Sequence, residues 1–307
     1  MEKVYESIII GAGPCGMRVA LEFKKKNVDF LLLDPGMPGG KINVAPRVDN
    51  YPGFKEIPGP DLALALFTRL IDAGIEIVPE GVESLTKVGD LFVIKTDLKE
   101  YKTKTAVVCS GTKERKLGLP KEDELFGHGL TYCALCDGHF FKGQDVIVIG
   151  GGNTALKEAI HLVGVAKKVY LIHRRNEFRG SVKLVNELKN HPNAEILTPY
   201  VPVEILGEEK VTGIKIANRE TNEEKTIELQ GIFPAVGQIP NTQFVKIDGV
   251  LDDYKTIPVT MKTMETNCSN LFAGGDILPR DIRQIYLAEH DGIIIAKTIL
   301  ERLGKND

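Results

Sequence analysis

Apolar residues gather into Ile8-Ile9-Ile10 and then stop at a glycine turn, and the same switch from strand to turn to helix recurs once, after Val146. In the first case the pattern predicts a strand over Val4–Ile10, a turn at Gly11 to Gly16, a helix over 14–26 and a second buried strand over 28–34. A Gly/Pro-rich stretch at 35–60 follows, long enough to suggest a segment that covers a ligand. Residues 61–73 read as a helix closed by Gly74. Residues 75–109 read as short strands, with Gly89-Asp90 turning a hairpin between 82–87 and Leu91–Thr96.

The polar stretch 111–129, punctuated by Gly118, Pro120, Gly127 and Gly129, reads as a boundary. A second unit then opens with a strand over 146–149, a glycine loop at Gly150 to Gly152, a helix over Asn153–Val163 and a strand over Lys168–Ile172. A helix over 181–189 and further strands run to Pro234. A last strand, Leu271–Ala273, enters Gly274-Gly275-Asp276, and a helix over 283–303 closes the pattern. This tail does not continue the middle unit. It reads as the returning piece of the first domain, which makes the middle domain an insertion: 1–114 with 243–307 around 115–242.

With 307 residues the chain is long enough for two such cores. A net charge of −3 gives no electrostatic reason to expect nucleic acid or a membrane surface as partner. The apolar run at Ser7 to Ile10 is too short for a signal segment, and no stretch reaches membrane-spanning length. Five cysteines do not make a disulfide framework. Cys15, Cys109 and Cys268 lie in apolar or glycine-rich surroundings and are expected to be buried and reduced. The pattern fits a reducing, cytoplasmic compartment with one deliberate redox pair.

Gly11-Ala12-Gly13-Pro14-Cys15-Gly16 fits GxGxxG between a strand and a helix. Gly11 permits the turn, Gly13 lets backbone approach a pyrophosphate, Pro14 suits the first helical position, and Gly16 lets helix and strand pack closely. Asp34, closing the second strand, can accept from a ribose diol. Gly150-Gly151-Gly152-Asn153-Thr154-Ala155 repeats the theme as GxGxxA. Its second strand ends in His173-Arg174-Arg175, with Arg179 a turn further on, rather than in an acid. Fixed positive charge there suits the 2′-phosphate of NADPH over NADH.

Between the two fingerprints stands Cys133-Ala134-Leu135-Cys136-Asp137. One CxxC is not a zinc site, which needs four ligands, so no metal is expected. A redox disulfide is the better reading, with Asp137 placed to give and take a proton beside a leaving thiolate. A nicotinamide does not reduce a disulfide directly, whereas a flavin accepts hydride and then reduces disulfides. The first fingerprint is therefore expected to hold FAD.

These residues, with Pro38-Gly39-Gly40, Asn50-Tyr51-Pro52-Gly53, Ala235-Val236-Gly237, Pro240-Asn241 and Gly274-Gly275-Asp276 followed by Arg283-Gln284, resemble the low-molecular-weight thioredoxin reductases over essentially the whole chain. The resemblance implies an α/β fold of two Rossmann-like, three-layer domains, the NADPH domain carrying the CxxC and inserted into a discontinuous FAD domain. It implies a homodimer acting on thioredoxin or a thioredoxin-like protein. It places Gly39, Gly40, Asn50, Gly111, Asp276, Arg283 and Gln284 at FAD, with Gly150, Gly152, Asn153, Thr154, Ala155, His173, Arg174, Arg175 and Arg179 at NADPH. By the same analogy Cys136 receives electrons from the flavin, Cys133 attacks thioredoxin, and the segments at 113–119 and 237–242 are hinges. A flavin-dependent dithiol oxidase, or a reductase fed by another donor, is the alternative on the same fold.

The chain departs from the family pattern in four places. Cys15 stands for Ala, Lys41 for Gln, and Cys109-Ser110-Gly111 for Ala-Thr-Gly. The run from Ile285 to Gly292 is bulkier than the small-residue pattern of the family, so Tyr286 is a candidate to cover the flavin ring.

Overall fold

The computed structural model describes residues 3–45 and 47–305. The chain runs β1 (Val4–Ile10), α1 (Pro14–Lys25), β2 (Phe30–Leu33), α2 (Gly59–Asp72), β3 (Val82–Val88), β4 (Leu91–Thr96), β5 (Glu100–Val108) and β6 (Thr112–Glu114). It continues through α3 (Ala134–Asp137), β7 (Asp145–Ile149), α4 (Asn153–Val163), β8 (Lys168–Ile172), α5 (Val182–Lys189) and β9 (Ala194–Leu197). Then come β10 (Tyr200–Leu206), β11 (Gly213–Asn218), β12 (Glu224–Glu228), β13 (Gly231–Pro234), β14 (Gln238–Pro240), β15 (Leu271–Ala273) and α6 (Ile285–Leu303). Two compact units result: the segments before residue 114 and after residue 238 form one, and Glu114–Gln238 forms the other.

In the first unit β1 lies between β2 and β5, parallel to both. β5 then divides its free edge: Glu100 to Thr103 pairs antiparallel with β4, while Ala106 to Val108 pairs in parallel with β15. Strands covered on both faces can be apolar at every position, and Ile8 to Ile10 and Ala106 to Val108 are buried throughout. On one face α1 contributes Met17, Val19, Ala20 and Phe23, all buried. Burying such side chains favours folding by about 1.5–3 kcal/mol each for the larger ones. Helix α6 approaches α1 closely at Gly292, where a Cβ would lie 2.6 Å from the Cys15 carbonyl oxygen.

The second unit has a parallel sheet in the order β13-β7-β8-β9 and a separate antiparallel sheet, β10-β11-β12. β7 is apolar and buried from Val146 to Ile149, as a central parallel strand should be.

Some boundaries differ from the sequence reading for local reasons. α2 begins at Gly59 rather than Asp61, because Pro60 fits the first helical turn, where no N–H is required. Ser181 and Gln284 hold non-helical backbone at the N-cap positions, so α5 starts at Val182 and α6 at Ile285. The 35–60 stretch contains one short 3-10 turn at Gly40–Val44. Cys268 is half-exposed instead of buried, since it sits in a turn just ahead of β15.

Candidate active site

At the first fingerprint Gly11 has φ +106°, a conformation that L side chains rarely adopt, and a Cβ there would lie 2.5 Å from the Cys109 carbonyl oxygen. Gly16 packs harder still, its would-be Cβ falling 1.9 Å from the Gly11 oxygen. By contrast a Cβ on Gly13 would meet nothing within 4 Å. The turn is closed on its protein side and open where a pyrophosphate would approach. Pro14 occupies the first helical position of α1, and the N–H groups that a first helical turn leaves without intrahelical partners, with the dipole behind them, suit an anion.

Asp34 supports this turn as well as standing near it. Its Oδ2 accepts from Ala12 N at 2.6 Å and its Oδ1 from Gly36 N at 2.8 Å. Gly39 N in turn donates to the Ala12 oxygen at 2.8 Å, which draws the Gly39-Gly40 turn against the fingerprint.

Further along, residues far apart in sequence converge. Lys41 Nζ lies 3.1 Å from Asp276 Oδ2 and donates to Thr112 Oγ1 at 3.0 Å. Arg283 Nε donates to the Asp276 carbonyl oxygen at 3.1 Å, and Asn50 Nδ2 donates to Gln284 Oε1 at 2.9 Å. The Gly111 oxygen accepts from Asn241 N at 3.0 Å. Tyr51, next to Asn50, donates to Glu289 Oε2 at 2.8 Å; burial and that carboxylate push its phenol up to about 12. Tyr286 is exposed in the first turn of α6.

The second fingerprint repeats the logic. A Cβ on Gly152 would meet nothing within 4 Å, whereas one on Gly151 would fall 2.3 Å from the His173 ring. His173 is therefore packed beneath the glycine loop, set against Phe178 in a tilted arrangement at 5.2 Å between ring centroids, and buried. Its pKa is held below the usual histidine value first by burial and then by the three arginines beyond it. The sequence reading set His173 beside the arginines as a cofactor contact; its side chain supports the loop from below. Arg174, Arg175 and Arg179 are exposed. Arg179 N donates to the Gly151 oxygen at 2.9 Å and Asn153 Oδ1 accepts from Ser181 N at 2.8 Å, so the arginine loop is tied to the glycine loop and to the start of α4. Thr154 is exposed in that first turn, and Ala155 is buried behind Gly150.

Cys133 and Cys136 are joined as a disulfide across α3, with Cys133 as the N-cap and Cys136 N donating to its sulfur at 3.2 Å. The carboxyl of Asp137 is buried and hydrogen-bonded to Thr131 Oγ1. Leu135, between the cysteines, is exposed.

Three residues here escaped the sequence reading. Thr131 is one. Glu122 is buried and accepts from Leu117 N, Gly118 N and the Tyr132 hydroxyl at 2.7, 2.8 and 2.7 Å, fixing the residue ahead of Cys133. Burial and Glu122 together push the Tyr132 phenol far above its ordinary range. Glu158, on α4, carries a buried Oε2 with no hydrogen-bond partner among the described residues, and burial pushes its carboxyl up to about 8. A polar residue on an amphipathic helix looks solvated in sequence, so nothing local marked it.

Comparisons with known proteins agree in one direction. The profile of the pyridine nucleotide-disulphide oxidoreductase family matches residues 5–292. A thioredoxin reductase of Mycoplasma pneumoniae is 38% identical over 303 residues, covering 98% of this chain and 96% of that protein. One from Bacillus subtilis is 35% identical, covering 97% and 94%. The crystal structure of thioredoxin reductase from Streptococcus pyogenes superposes with a TM-score of 0.92 at 34% identity, covering 99% of each chain.

Proposed function

The chain belongs to the pyridine nucleotide-disulphide oxidoreductase family, and from that premise we propose that it is an NADPH-dependent thioredoxin reductase. The observation that carries this reading is the coexistence of two glycine turns, each open at its second or third glycine, with a disulfide held in a short helix beside a buried carboxyl. FAD and NADPH are its cofactors. When bound, the flavin takes an electron pair from the nicotinamide and delivers it to a disulfide.

The chain's own groups fit those two molecules. Gly11, Gly13, Pro14 and Gly16 would hold the FAD pyrophosphate at the N-terminus of α1, with Asp34 bracing the turn and Gly39, Gly40, Asn50, Gly111, Asp276, Arg283 and Gln284 along the rest of the molecule. We assign the unit formed by the two outer segments to FAD and the unit at Glu114–Gln238 to NADPH. In the latter Gly150, Gly152, Asn153 and Thr154 would hold the pyrophosphate, with Ala155 packed behind Gly150 to let the turn close, and Arg174, Arg175 and Arg179 would hold the 2′-phosphate.

Once the Cys133–Cys136 bond is reduced, the Cys133 thiolate attacks one sulfur of the thioredoxin disulfide. A mixed disulfide forms as the thioredoxin bond breaks, and the leaving thiolate takes a proton. Cys136 then attacks the Cys133 sulfur, restoring the internal bond and releasing reduced thioredoxin. Asp137, held by Thr131, takes up and returns the proton beside Cys136. The exposed Leu135 lies where the partner must approach. A homodimer in the cytoplasm completes the proposal; among the described residues no helix is long and apolar enough to cross a membrane.

Substitution of the dithiol tests the assignment. Cys133→Ser and Cys136→Ser are each expected to stop NADPH-dependent thioredoxin reduction while NADPH still bleaches the flavin absorbance. A variant that keeps reducing thioredoxin overturns the reading. Rapid NADPH consumption by the unsubstituted enzyme with oxygen alone, unaffected by thioredoxin, favours the oxidase instead.

A further inference from the structure

The cysteines outside the CxxC are not alike. Cys268 is half-exposed and its sulfur lies 3.8 Å from Lys87 Nζ. Cys15 and Cys109, separated by 94 positions, meet with their sulfurs 3.2 Å apart and the Cys109 thiol aimed at Cys15. Cys15 lies in the first turn of α1 and Cys109 directly follows β5, so the pair sits under the first glycine turn. Neighbouring backbone leaves room for the contact: a Cβ on Gly274 would lie 2.6 Å from the Cys15 sulfur. A disulfide requires about 2.05 Å between sulfurs, so the pair stands about 1 Å short of bonding distance.

We propose that Cys15 and Cys109 are a second dithiol–disulfide couple, a modification site for hydrogen peroxide that staples the first turn of α1 to the end of β5. The chemistry balances with one peroxide molecule. The Cys109 sulfur attacks a peroxide oxygen, the O–O bond breaks, and the departing hydroxide takes the thiol proton to leave as water. Cys109 is then a sulfenic acid. The Cys15 sulfur displaces its hydroxyl group, an S–S bond forms as the S–O bond breaks, and the Cys15 proton leaves with that hydroxyl as a second water. Two thiols have lost two electrons and peroxide has gained them.

The order of attack follows from the surroundings. Cys109 is 7% exposed and Cys15 only 2%, so a small neutral oxidant reaches Cys109 first. Burial, the adjacent thiol and the charge of Asp291 push the Cys15 thiol up, Arg280 opposing, which disfavours Cys15 as the first nucleophile toward peroxide. A bridge closing so long a loop restricts the unfolded chain strongly, so the oxidised form is expected to melt higher.

The full-length, flavin-loaded chain treated with hydrogen peroxide, alkylated under denaturing conditions and digested without reduction tests this by peptide mass. The expected product is a linked pair of peptides holding Cys15 and Cys109, two hydrogens lighter than their sum and separated by dithiothreitol. The thermal midpoint is expected to rise with the link, to fall back on reduction, and to stay unmoved in Cys15→Ala and Cys109→Ala. Recovery of both residues alkylated, at a peroxide dose that oxidises Cys268, overturns the proposal. So does Cys109 ending as a sulfinic acid, or linked to Cys268. Mapping on the unsubstituted chain decides the matter even if a variant does not fold, and it is scored independently of thioredoxin turnover.

Discussion

Replacing Arg174 and Arg179 together by alanine is expected to remove most of the preference for NADPH over NADH, with Arg175 left in place. Both side chains are exposed. Their backbones are nonetheless fixed: Arg179 N is tied to the Gly151 oxygen at 2.9 Å, and the Arg174 oxygen accepts from Arg219 Nη1 at 3.3 Å. A charge-assisted hydrogen bond is worth about 1.5–3 kcal/mol, and solvent exposure moves these two to the low end. Two such bonds sum to about 3 kcal/mol, or roughly two decades of affinity at 1.4 kcal/mol per decade. The double variant should therefore lose about 100-fold in kcat/KM with NADPH, carried mainly by KM, and no more than about threefold with NADH, which lacks the phosphate. Initial rates with both nucleotides at saturating thioredoxin measure this. Raising the ionic strength should erode the preference of the unsubstituted enzyme more than that of the variant, because screened charge is a main source of the difference. The paired lysine variant is expected between the two, since lysine keeps the charge and loses the planar fork. Equal losses with both nucleotides would refute the phosphate assignment.

Gly16→Ala places a methyl 1.9 Å from the Gly11 oxygen, a backbone atom that cannot yield without moving the turn. A loss of at least about 1–3 kcal/mol in stability and release of the flavin on gel filtration are expected; a yellow, equally stable variant contradicts the packing argument. For Glu158, whose folded pKa is raised to about 8, the folded chain binds its proton more tightly than the unfolded one. That contribution is complete below the unfolded value near 4.5 and is lost as pH rises through about 8. Glu158→Gln should accordingly flatten the fall of thermal midpoint between pH 5 and 9, and superimposable curves for the two proteins would show that the carboxyl is not the cause.

What the sequence made visible was local. The two glycine fingerprints and the CxxC are short runs whose spacing alone specifies a turn before a helix or a small disulfide ring. Their places between β1 and α1 and between β7 and α4 could be read from apolar patterning, whereas the short helix α3 that carries the disulfide was not read. What it hid depends on chain segments meeting. Lys41 finds Thr112 and Asp276, Asn50 finds Gln284, and Cys109 finds Cys15, each pair separated by tens to hundreds of positions. His173 shows a subtler limit. Its position at the strand end was legible, but period-2 alternation sends its ring under Gly151 while the arginines beyond it leave the strand and stay in solvent. Asp34 also braces the turn, because its two oxygens meet backbone N–H groups whose positions only the folded loop sets.

Anaerobic titration of the flavin-loaded protein with NADPH, with alkylation of thiols at each step, probes the electron relay most directly. NADPH should be oxidised as the Cys133–Cys136 bond opens, making both sulfurs alkylatable. Oxidised thioredoxin added afterwards should close the bond again and emerge reduced. If NADPH bleaches the flavin and Cys133 and Cys136 remain disulfide-bonded throughout, electrons do not pass to this sulfur pair, and the proposed reductase activity is wrong.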